Sequence, residues 1–168
     1  DALVILALEL PLCLAAVTTH DLPPTAGYLA GEHIRIRAEL GLLTRSVEEE
    51  RAVDAKERAS WLDLLVERGW LAHDRRDDEE SVLIALHRAL AATPSRLLGV
   101  ALTDAVGDRR AINQPGTDAE YPIWRMPLAD GDGTPVLLDD LVAGSRDETG
   151  TTSRAARLAA AVRGRPDA

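Results

Sequence analysis

Ala15-Ala16-Val17-Thr18-Thr19-His20-Asp21-Leu22-Pro23-Pro24-Thr25-Ala26-Gly27-Tyr28 is the stretch on which the reading of this chain turns. Residues 14–18 (Leu-Ala-Ala-Val-Thr) form a short two-sided apolar run, the pattern of a buried parallel strand. The strand delivers a His-Asp pair. Asp21 then offers an N-cap acceptor ahead of two prolines, which need no amide partner in a first helical turn. In barrels and doubly wound sheets, ligands bind at the carboxyl ends of strands. A polar pair at such an end is a candidate site as well as a candidate cap.

Composition narrows the classes. The chain has 168 residues, 46% hydrophobic and 28% charged, which suits one globular domain with a real core. Aromatics make up 3% and Phe is absent, so the core is built from Leu, Val, Ile and Ala. Net charge is −9, and Lys56 is the single lysine among arginines. Without a basic stripe and interleaved aromatics, nucleic acid is excluded as a partner. The acidic balance also disfavours an anionic membrane. Cys13 is alone and excludes an internal disulfide, which points to a reducing, cytoplasmic setting. His20, His33, His73 and His87 stand at no metal-binding spacing, so neither metal nor cofactor is expected. The apolar opening, Asp1 to Val17, has no basic leader and is interrupted by Glu9 and Pro11. It reads as buried helix or strand of a larger protein rather than as a signal peptide.

The remaining chain reads as mainly helical, with two short buried strands. A first helix is expected from Asp21 through Tyr28, Leu29, Ile34, Ile36 and Leu40, ended by Gly41. Ser46 and Glu49 have capping-box spacing and open a second helix ending at Gly69, with Ala55, Ala59, Leu62 and Val66 on one face. The charge run Asp74 to Glu80 reads as a solvated loop. Val82, Leu83, Leu86, Ala89 and Leu90 mark a third helix, stopped by Pro94. Leu97 to Leu102 is the second strand, leading to a carboxylate at Asp104. Pro115, Pro122, Pro127 and Pro135 make 108–135 a long ordered loop, with a turn at Gly131-Asp132-Gly133. Leu137 to Val142 opens a further helix. Residues 143–168 are expected as a flexible tail with a short Ala/Arg helix at Ser153 to Arg163.

Asp21 and Asp104 at neighbouring strand ends, with Asn113, Glu120, Tyr121, Trp124 and Arg125 on the loop, suit a sugar. Hydroxyls need polar donors and acceptors, and the ring face needs an apolar partner. Thr19-His20-Asp21-Leu22-Pro23, Gly27-Tyr28, and Asn113-x-Pro115-Gly116-Thr117-x-x-Glu120-Tyr121-Pro122-x-Trp124-Arg125 together resemble the carboxyl-terminal part of the 4-α-glucanotransferases, over residues 12 to 142. Ile123 departs from that pattern, where the family usually has Asn.

The resemblance implies the carboxyl-terminal piece of a (β/α)₈ barrel, residues 1–142, with a helical insertion at about 44–92. It implies transfer of an α-1,4-glucan segment between sugars with retention, on maltose, maltotriose and maltodextrins. Asp21 would be the carboxylate that stabilises the transition state. His20 would bind sugar hydroxyls, joined by Asn113, Asp104, Trp124 and Arg125. Retention needs a nucleophile and an acid/base as well. The family carries these on earlier strands, so this chain alone would be inactive and its exposed barrel edges would self-associate. The competing reading is a stand-alone helical interaction or carbohydrate-binding module without catalysis. A start codon near residue 1 would favour it.

Overall fold

The structure is a computed structural model that describes residues 12–144 and 153–164. The expectations for residues 1–11, for the Gly/Ser/Thr-rich stretch 145–152 and for the tail 165–168 lie outside the described residues. Two short strands, β1 (Leu14–Ala16) and β2 (Leu97–Gly99), pair in parallel with Leu14 opposite Leu97 and Ala16 opposite Gly99. Parallel pairing requires a long crossover. Here it is helical: α1 (Thr25–Leu29), α2 (Glu32–Glu39), α3 (Val47–Glu67), a 3₁₀ turn at His73–Arg75, and α4 (Glu79–Ala91). After β2 come α5 (Leu102–Val106), the long loop, α6 (Leu138–Gly144) and α7 (Arg154–Arg163).

The helical layer is a packed core. One side of α4 sets Val82, Ala85 and Leu86 against Trp61, Leu62 and Leu65 of α3. Its other side buries Leu83 completely against Ala105 of α5 and Leu158 of α7. Each fully buried Leu contributes about 1.5–3 kcal/mol of transfer free energy. The small residues around Leu158, Ala155 among them, let α7 pack on α4. The segment expected as a flexible tail is therefore docked over 153–164. Ser153 caps α7, accepting from the Ala156 amide, and Arg154 and Arg157 pair with Glu79 and Glu80. Those two glutamates belong to the run expected to be merely solvated.

Other boundaries confirm or correct the sequence. The Ser46–Glu49 capping box is present in α3. Gly69, with φ of 73°, closes that helix, since the Trp70 amide reaches back to Leu65 and the Gly69 amide to Val66. The buried face of α3 carries Asp54, Trp61, Leu62 and Leu65, while Ala55 and Ala59 are exposed. On this face His33 of α2, stacked on Tyr28 at 4.9 Å, turns toward Asp54 at 3.4 Å. Burial and the neighbouring Asp54 carboxylate push the Tyr28 hydroxyl up to about 12. The single first helix is in fact two. Gly31, at φ 72°, breaks it, and Arg58 donates to the freed Leu29 carbonyl at the end of α1.

The strands depart most from expectation. Ala15 is buried, but Leu14 and Leu97 are 64% and 65% exposed. Both strands are also shorter than the apolar runs that encode them. An apolar run reports that a strand is designed for burial on both faces; the described residues cover only part of this pair.

Candidate active site

The carboxyl ends of β1 and β2 lie side by side, because the strands are parallel and in register. Gly99 permits this closeness: a Cβ there would meet the Ala16 side chain at 3.3 Å. Beyond these ends opens a cavity of about 210 Å³, bordered by Thr18, His20, Leu22, Val100, Thr103 and Ile112. Complete small-molecule pockets run to roughly 300–1,000 Å³. This one has the size of part of a cleft.

The loop leaving β1 is shaped by its own backbone. The Thr18 hydroxyl donates to the Pro23 carbonyl at 2.9 Å, and the Leu22 amide donates to the Thr19 carbonyl. This fold-back leaves the His20 and Asp21 side chains half exposed, at 56% and 51%. Asp21 does not cap α1. The helix begins after Pro24, which supplies no side-chain acceptor. The Asp21 carboxylate instead accepts from Asn113 Nδ2 at 2.6 Å on one oxygen, while His20 Nε2 lies 3.3 Å from the other.

Asn113 arrives on the long loop, which is anchored at several points. The Asp108 carboxylate takes Arg110 in a two-pronged pair and also accepts the Ala129 amide. Burial raises its pKa, but Arg110 and the two amides outweigh that and hold the carboxyl below its usual range. Tyr121 donates its hydroxyl to the Ala111 carbonyl at 2.8 Å. The Trp124 amide donates to the Ile112 carbonyl, and Trp124 is the one described non-glycine residue at positive φ, 58°. That conformation costs a side-chain-bearing residue on the order of 1 kcal/mol. It sets the indole 5.4 Å from the His20 ring while leaving it 62% exposed. The loop also packs directly on α1, where Gly27 meets the Arg109 carbonyl so closely that a Cβ would sit 2.1 Å from it.

Of the six residues singled out in the sequence, His20, Asp21, Asn113 and Trp124 converge. Arg125 is exposed beside them, with its amide on the Pro122 carbonyl. Asp104 is elsewhere. It lies in α5, not at a strand tip, and is fully buried. Its two oxygens accept the Thr25 amide at 2.8 Å and the Thr25 hydroxyl at 2.9 Å. The capping of α1 looked for in Asp21 is done by Asp104. Sequence reasoning missed Thr18 and Ile112 as cavity borders; only the polar step out of an apolar run hinted at the first. Among the described residues no cluster of His, Cys, Asp and Glu could hold a metal, and no helix is long and apolar enough to cross a membrane.

The 4-alpha-glucanotransferase family model matches residues 9–132. The 4-alpha-glucanotransferases of Mycobacterium bovis and of Mycobacterium tuberculosis H37Rv are each 56% identical to the chain over 151 residues, which is 90% of this chain and 20% of theirs. The crystal structure of amylomaltase from Corynebacterium glutamicum superposes with a TM-score of 0.78 at 41% identity, over 89% of this chain and 21% of that one. The chain thus spans about a fifth of the length of these relatives. With the motif residues gathered at the strand ends, the chain belongs to the 4-alpha-glucanotransferase family.

Proposed function

We propose that this chain is the carboxyl-terminal part of the catalytic barrel of a longer, cytoplasmic 4-α-glucanotransferase, and that Asp21 is the carboxylate stabilising its transition state. The carrying observation is the Asp21 carboxylate itself: half exposed, at a parallel strand's carboxyl end, bonded among the described residues through side chains that a sugar hydroxyl could replace. As a glycosidic bond breaks, positive charge grows on the sugar ring. A fixed anion gains most at that moment, which is the condition for lowering a barrier. His20 and Asn113 aim the carboxylate and are in reach of the same hydroxyls. The exposed Trp124 indole gives an apolar face for a glucose ring. Arg125 stands at the rim, and Asp104 leaves the set of sugar ligands because both of its oxygens are occupied.

Retaining transfer uses a second carboxylate as nucleophile and a third as acid/base. Both would come from other strands of the barrel. The exposed Leu14 and Leu97 and the part-sized cavity support this, since further strands would cover the former and complete the latter. They also weigh against a self-sufficient binding module. In the full enzyme, Asp21→Asn should lower transfer from maltotriose by about 10²–10³-fold or more without changing the melting temperature. An Asp21→Asn enzyme of normal rate would remove the assignment. The chain alone should release no glucose from maltotriose.

A further inference from the structure

The Asp104 carboxylate does more than fill space, and a second buried group lies behind it. His87 of α4 is fully buried. Its Nδ1 is 2.9 Å from the Leu83 carbonyl, which accepts only, so Nδ1 carries a proton. Its Nε2 has no hydrogen-bond partner among the described residues and faces Asp104 Oδ2 at 4.0 Å. A bare nitrogen lone pair facing an ionised carboxylate deep in the core would be two acceptors in opposition, and unpaired buried polar atoms are costly. One proton between them removes the conflict. The Thr25 amide donates to the far oxygen, Oδ1, and the Thr25 hydroxyl to Oδ2 itself, at the first residue of α1. Thr25 lies one turn downstream of Asp21, past the loop closed by the Thr18–Pro23 bond.

We propose that Asp104 is a positioning residue for Asp21: carrying a proton where it faces the neutral His87 behind it, it clamps Thr25 and so fixes the angle at which the His20–Asp21 loop runs into α1. This rests on the proposed role of Asp21. The charges around the pair are consistent with it. From α7, Arg154 donates through Nε to the Asp104 backbone carbonyl and spends its remaining donors on Glu79 of α4. From α1 come only the amide and hydroxyl of Thr25. Just past α5, Asp108 is engaged by Arg110. Among the described residues, no cation meets the Asp104 carboxylate directly. Burial pushes the Asp104 carboxyl up and the His87 imidazole down, which both favour the uncharged pair, with the proton on Asp104 and none on Nε2.

The uncharged pair has a sharp consequence, because Asn nearly reproduces it: its oxygen keeps the acceptor for the Thr25 amide, and its NH2 at the Oδ2 place turns one hydrogen toward His87 and the other toward the Thr25 hydroxyl, which rotates to accept. In the full enzyme, Asp104→Asn should keep kcat on maltotriose within about threefold. Asp104→Ala should lower kcat at least tenfold with KM within about twofold. Should Asp104→Ala fail to fold, Thr25→Val carries the same test, with Thr25→Ser restoring the wild-type rate. Equal damage from Asp104→Asn and Asp104→Ala overturns the protonated Asp104. Unchanged kcat in Thr25→Val overturns the positioning role. Amide hydrogen exchange tests the clamp without activity: Thr25→Val should speed exchange at residues 21–25 at least tenfold relative to α3, and equal protection would refute it. If the wild-type enzyme transfers no glucan, the role given to Asp21 fails while the exchange result still decides the clamp.

Discussion

The carboxylates of Asp21 and Asp104 both stand near the start of α1, one reaching it from solvent and the other from the core. Asp21 is half exposed and holds two side chains that water or a hydroxyl could displace. Asp104 is sealed, with the helix's first amide and hydroxyl on its oxygens. The difference follows from what each loss would cost. Uncovering or unpairing a buried polar group costs about 1–3 kcal/mol, so the interior fixes its carboxylate with permanent partners. At the surface water replaces any lost bond, so a carboxylate there keeps its capacity for a ligand. The start of one short helix is thus held from beneath by a buried acid, with an exposed acid standing in the loop above it.

Variants can pull these two regions apart. The largest expected effect is on the frame: Leu83→Ala, at the centre of α4, should destabilise by about 3 kcal/mol, read as a shift in the denaturation midpoint. Gly27→Ala should cost about 2–3 kcal/mol by forcing the 109–125 loop off α1. It should also lower transfer beyond the loss of stability, because Asn113 and Trp124 ride on that loop. Ser46→Ala, remote from both aspartates, should cost about 1 kcal/mol and leave transfer rates untouched. Trp124→Gly should change stability by less than about 1 kcal/mol, in the favourable direction, since Gly takes positive φ without strain. The same variant should raise KM for maltotriose severalfold.

The pH dependence addresses the loop's anchor. The Asp108 carboxyl is held below its usual range in the folded protein. Its contribution is therefore complete above the unfolded value near 4, and is lost as pH falls through the folded one. Asp108→Asn should destabilise at pH 7 and flatten the loss of stability below about pH 4, measured by denaturation midpoints across that range.

Much of this was readable from the chain. The capping box at Ser46, the Gly69 stop and the Gly131–Gly133 turn are local, and local rules govern them. The meeting of Asp21 with Asn113, 92 residues apart, was legible only through motif resemblance. That the cap of α1 comes from Asp104 and not from Asp21 was not legible. Both precede or open short helices, and a cap supplied from another helix leaves no spacing signature. The break at Gly31 was hidden because Ile34 and Ile36 continue an apolar pattern across it. The docking of α7 was hidden because an Ala/Arg helix has little apolar mass, and only Leu158 anchors it deeply.

The most direct test of the division between the two aspartates is a crystal structure of the full enzyme with a bound maltodextrin. The account predicts sugar hydroxyls within hydrogen-bond distance of the Asp21 carboxylate and of His20, a glucose ring against Trp124, and Asp104 still bonded to Thr25. A sugar seated elsewhere, with Asp21 bound only to Asn113, would contradict it.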